Sequence, residues 1–109
     1  MNPYTTELSD TCLRDLHSGH LSAHGQRDAA FEAGYVVLMH ALPRDVVAGN
    51  DHPSPALVVK ACTALGVTAD VGEAYAMRKY SGCDPDSLPS VEALLSWSES
   101  CRRAVGIVR

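Results

Sequence analysis

The chain is expected to be all-α, an up-and-down bundle of four or five helices, on three observations. Residues 28–42, DAAFEAGYVVLMHAL, are apolar nearly all round a helical wheel, and such a helix has to be walled by other helices. Two further stretches, 55–65 and 89–107, repeat apolar residues at i, i+3 and i+4, with Gly- and Pro-rich links between the segments. No stretch shows the period-two alternation of a half-buried strand. At 109 residues the whole chain, 1–109, reads as a single domain, long enough to bury one core without metal or disulfide staples.

The first helix is expected over about Thr5 to His24, with Leu8, Cys12, Leu16 and His20 spaced by four and Leu13 widening the stripe. Ser18-Gly19 weakens its middle, and Gly25 reads as a left-handed residue closing it. The second helix, Gln26 to Leu42, is the buried one; Pro43 lacks a backbone donor and ends it, and 45–49 adds one more turn. Residues 49–55 form a loop. Ser54-Pro55 is a cap followed by proline at the first helical position, so a third helix runs from Pro55 to Leu65 with Leu57, Val58, Ala61 and Leu65 inward, and Gly66 closes it. Thr68 or Asp70 starts a fourth helix, carrying Val71, Ala74, Tyr75, Met77 and Arg78 as far as Tyr80, with Gly82 beyond it. Only Gly66-Val67 separates the third and fourth helices, a link short enough for one bent arm. After the turn-rich residues 84–89, the last helix covers about Pro89 to Ile107. Val91, Leu94, Leu95, Ser98, Cys101, Val105 and Val108 face inward, and Glu92, Glu99, Arg102 and Arg103 outward.

Composition excludes some functions and lowers the odds of others. Nine Lys and Arg against thirteen Asp and Glu give a net charge of −4, and the basic residues are scattered, which argues against a protein that grips nucleic acid through phosphates without excluding one. No apolar run approaches the ~20 residues of a bilayer span, so no membrane segment is expected. MNPYTTELSD has neither a basic stretch nor an apolar core of a secretory signal, so the simplest location is cytoplasmic. Of the four cysteines, Cys12, Cys62 and Cys101 sit among apolar neighbours and are expected as small core residues; Cys83 lies in the second linker, and no CxxC occurs.

A few residues carry candidate chemistry. His17, His20 and His24 would share one face of a continuous helix and could converge on a metal; the plainer alternative is a polar helix end. His40 is expected to be buried and satisfied by a partner, and His52 to be solvated. Glu32 on its apolar helix should either find a cation, for which Arg78 is the candidate, or hold its proton more tightly than a free carboxyl. Arg78-Lys79-Tyr80 complements the dipole at a helix end, or else contacts a phosphate or nucleotide with Tyr80 stacking or donating its hydroxyl. Trp97 falls off the main stripe of the last helix, as a core residue or as a partner surface. No GxSxG, phosphate-binding loop or dinucleotide fingerprint occurs, so no catalytic residue and no cofactor is assigned.

The segment GQRDAAFEAGYVVLMHAL resembles the second helix of the HEPN superfamily, small all-helical proteins often encoded beside minimal nucleotidyltransferases. HPSPALVVKACTALGV is similar to that family's third helix. AMRKYSG and SVEALLSWSESCRRAV are similar to its Arg-containing helix end and final helix. Many members are metal-independent ribonucleases that use an Arg followed within a few residues by His, facing its copy across a dimer. Arg78 matches the Arg, but Ser81-Gly82-Cys83-Asp84 stands where the His belongs, and no His follows His52. The resemblance therefore implies a non-catalytic member, a homodimeric binding or regulatory module for a nucleotide or a nucleotidyltransferase partner. The alternative is a ribonuclease or nucleotide-handling enzyme using Arg78, Tyr80 and Asp84.

Overall fold

The computed structural model describes residues 3–49, 54–81 and 88–107. It consists of helices α1 (Pro3–His17), α2 (Ala23–Ala41), α3 (Arg44–Ala48), α4 (Pro55–Leu65), α5 (Asp70–Ser81) and α6 (Val91–Ala104), with no strand among the described residues. The all-α bundle expected from the sequence is what forms. Its radius of gyration, 13.0 Å, is that of a compact chain of this length.

Helix α2 is the hub, packed against α1, α4, α5 and α6. Ala30, Phe31, Ala33, Val37 and Leu38 have no solvent exposure, as a helix without a clean polar face requires. The wrapping is nevertheless incomplete. Glu32, Val36 and Met39 are only half-buried and His40 is exposed, so one flank of α2 stays wet in the single chain.

Local chemistry sets the helix ends. Ser22 caps α2 by accepting from the Gly25 amide, which puts Gly25 inside the first turn of α2 rather than at the close of α1. Ser54 caps α4 with Pro55 following, and Gly66 at φ +71° ends α4 in the left-handed conformation, both as the sequence leads one to expect. Ser90 caps α6. Helices α4 and α5 pack on each other across the short Gly66 corner, so they form two helices rather than a single bent arm.

Three aromatic rings surround Phe31 at the centre: Tyr75 at 4.8 Å between centroids, Tyr35 at 5.2 Å and Trp97 at 5.7 Å, the last nearly parallel at 9°. Trp97 fits because two glycines leave room for its indole. A Cβ on Gly72 of α5 would lie 2.2 Å from Trp97 Cζ2, and one on Gly34 of α2 would lie 2.7 Å from Cζ3.

Two faces differ from their expected orientation, and one interaction explains both. On α1 the buried residues are Thr5, Ser9 and Leu16, while Leu8 is 41% exposed. On α6, Arg102 is buried rather than outward. Arg102 donates to Ser9 Oγ and, at 2.6 Å, to Asp10, and Ser9 in turn donates to the Ala33 carbonyl at 2.7 Å. A buried guanidinium has to find acceptors, and Ser9 and Asp10 provide them, which turns Leu8 outward.

Candidate functional site

The densest cluster of chemistry-bearing side chains lies where α5 crosses α2. Asp28 and Glu32 are four apart on α2, and Tyr75 and Lys79 are four apart on α5, so each helix presents a pair on one face. The two pairs meet. Lys79 Nζ donates to Asp28 Oδ1 at 2.5 Å and to Glu32 Oε1 at 3.4 Å, and Tyr75 Oη donates to Asp28 Oδ1 at 2.9 Å. The ammonium also lies 5.7 Å from the Phe31 ring centroid and 5.6 Å from that of Tyr80.

The surroundings hold Lys79 and the nearby tyrosines in their protonated forms. Burial alone would lower Lys79, but the hydrogen bond and charge of Asp28, together with Glu32, outweigh it and raise the ammonium above its ordinary value. Burial and then the bond to Asp28 push Tyr75 well above the usual phenol range. Tyr80 rises to about 12 through burial and the charges of Glu32 and Asp28. Tyr35 also rises to about 12 through burial, partly offset by the Ser54 amide that donates to its oxygen. The half-buried Cys12 thiol is raised by burial and by Glu32, Asp15 and Asp28. None of these five groups is moved toward neutral pH, where a general base or an activated thiol works best.

The sequence candidates fall differently from expectation. Arg78, Lys79 and Tyr80 do not converge on an anion, because Lys79 is committed to two carboxylates. Arg78 is half-buried and makes no ion pair among the described residues. The cation that serves Glu32 is Lys79, not Arg78, since Lys79 shares a helix face with the core residue Tyr75. Asp84 and Cys83, like His52, Gly82 and Val108, lie outside the described residues. The histidine array is dispersed. Helix α1 ends at His17, where Ser18 Oγ donates to the Asp15 carbonyl and Gly19 takes φ +80°. His20 then sits in the link and His24 on α2. All three are exposed, and no cluster of three metal-ligating side chains occurs among the described residues. His40 is exposed rather than buried, with its Nδ1 3.3 Å from Thr5 Oγ1.

Trp97 is a core residue at 5% exposure, and its Nε1 is buried without a hydrogen-bond partner among the described residues. Cys62 and Cys101 are free, fully buried thiols that face each other between α4 and α6. Donation toward Cys62, with burial, holds Cys101 high, and the same contact lowers Cys62. Asp28 and Tyr75 escaped the sequence reading as partners. The signal that could have found them is the matched i, i+4 spacing on the two helices.

Two grooves flank this core. One, of about 360 Å³, runs between α1 and α2 and is lined by Leu8, Glu32, Tyr35, Val36, Met39 and His40. The other, of about 610 Å³, lies between the α4–α5 corner and α6. Comparison of the chain with protein-family models, with curated proteins and with solved structures finds no match.

Proposed function

We propose that the chain is a non-catalytic, HEPN-like binding module that works as a homodimer through the face formed by α1 and the wet flank of α2. The observation that carries this reading is the apolar surface left there. Tyr4 is 71% exposed and Leu8 41%, and half-buried Val36 and Met39 line the groove beside Leu8. Charge favours a second copy as the cover. Two molecules of net charge −4 repel on average, but this groove holds one carboxylate, Glu32, and Lys79 lies 3.4 Å from it. A two-fold contact sets the same patch against itself, so an apolar patch covers its own copy, with Glu7 beside Tyr4 and Leu8 as its further acidic group. A nucleotide or a nucleotidyltransferase as the outside partner rests on the HEPN-like resemblance.

Light scattering on the purified protein should give about twice the 11.6 kDa chain mass. Leu8→Glu should give single chains with an unchanged helical circular-dichroism spectrum, because Leu8 lies outside the core. A wild-type monomer at high concentration rejects the dimer. RNA cleavage by the pure protein, abolished in a folded Arg78→Ala variant, would replace this reading with the ribonuclease alternative.

A further inference from the structure

We infer that the groove between the α4–α5 corner and α6 binds a small amphiphilic anion, an aliphatic carboxylate whose chain lies on Val67 and Val71 beside Trp97 and whose charged end meets Arg103. The inference is independent of the dimer, which uses side chains of α1 and α2 that do not line this groove. At about 610 Å³ the groove falls within the size range of small-molecule sites. Its floor is apolar: Val67 and Val71, half-buried and so partly uncovered, with the small exposed edge of Trp97 beside them. Ser96 and Ser100 line its edge, with the Ser100 hydroxyl already donating to the Ser96 carbonyl.

Charge selects the ligand. The groove lining contains no Asp or Glu, and Arg103 is its single charged residue, in a chain whose net charge is −4. Arg103 is exposed and makes no ion pair among the described residues, whereas its neighbour Arg102 is buried against Asp10. In the grooves along α1, carboxylates oppose any cation: Glu7, Asp10 and Glu99 line one together with Arg14 and His17, and Glu32 in the other is paired with Lys79. An apolar trough with one unpaired cation at its rim fits an anionic head on a hydrocarbon body. A cation finds nothing there to hold it, and a short polar anion such as acetate would leave the apolar floor unused.

Trp97 is the only tryptophan in the chain, so its emission reports directly on this groove. The test is titration of the full chain with decanoate, with decan-1-ol and acetate as controls, following Trp97 fluorescence and the backbone amide shifts of Val67 and Val71. Decanoate should give a saturable change, weakened by added salt, and acetate none. Arg103→Gln should weaken decanoate about threefold or more and leave decan-1-ol unchanged, with Arg103→Lys restoring most of the loss. No saturable change in either signal overturns the inference. So does decanoate binding that is indifferent both to salt and to Arg103→Gln; the salt arm decides if that variant fails to fold.

Discussion

Gly72→Ala on α5 should destabilise the protein, although glycine-to-alanine inside a helix ordinarily helps. Alanine is favoured there by up to about 1 kcal/mol on helix propensity. Against that, the new methyl would lie 2.2 Å from Trp97 Cζ2 and 2.4 Å from Cε2, where ordinary contact begins at 3.4 Å, so the ring or α5 must move by about 1.2 Å. The indole cannot retreat freely. It is stacked on Phe31 at 9°, and on the α2 side its Cζ3 is already against Gly34. Overpacking of a close-packed core costs about 3 kcal/mol at the upper end of its usual range, leaving a net loss of about 2 kcal/mol. For a domain of this size that lowers Tm by about 8 °C. Far-UV circular dichroism on thermal unfolding measures it, with Gly25→Ala as the control. At Gly25 the nearest atoms to a new Cβ are at 3.4 Å, ordinary contact, and Tm should hold or rise. Adding Trp97→Phe to Gly72→Ala should cost less than the two changes summed, since the smaller ring vacates the contested space. A Gly72→Ala variant as stable as wild type would refute the wedge.

Two other perturbations follow from the charged groups. Lys79, Tyr35, Tyr75 and Tyr80 all hold their protons more tightly when folded, so the stability they contribute is complete below about pH 10 and is lost at higher pH, for Tyr35 and Tyr80 as pH rises through about 12. Urea midpoints should fall steeply over that interval, and a flat or rising profile would contradict the assigned partners. Arg102→Ala, which leaves Ser9 and Asp10 facing a void, should cost about 3 kcal/mol in chemical denaturation, whereas Arg103→Ala should stay within about 0.5 kcal/mol. Equal effects of the two substitutions would show that Arg102 is not the buried member.

What the sequence revealed was local. The caps at Ser54-Pro55 and Gly66 were legible because a cap is chemistry within one turn, and the central helix was legible because its apolar character shows in fifteen consecutive residues, 28–42. What stayed hidden depends on residues far apart in the chain. Lys79 rather than Arg78 faces α2 because of Asp28, 51 positions away, and Ser9 rather than Leu8 faces inward because of Arg102, 93 positions away. Helical periodicity cannot distinguish a face turned by one residue when both candidates are adjacent. The histidine array failed for a local reason that was partly visible, since Ser18-Gly19 weakened the helix exactly where it breaks. The slot for Trp97 needed two missing side chains from two other helices, and no single window of sequence contains all three.

The Arg102 contact also acts as a proofreader for the pairing of the first two helices. Shifting α1 by one residue turns it by about 100°, which would set Leu8 where Ser9 now meets the guanidinium. The shifted arrangement buries more hydrocarbon, yet it also sets Ser9 where Asp10 now stands, so the buried guanidinium loses its carboxylate, a penalty of several kcal/mol. Hydrophobic collapse alone would tolerate both registers; the guanidinium admits one. Leu8 is thereby kept on the outside, free to meet another surface.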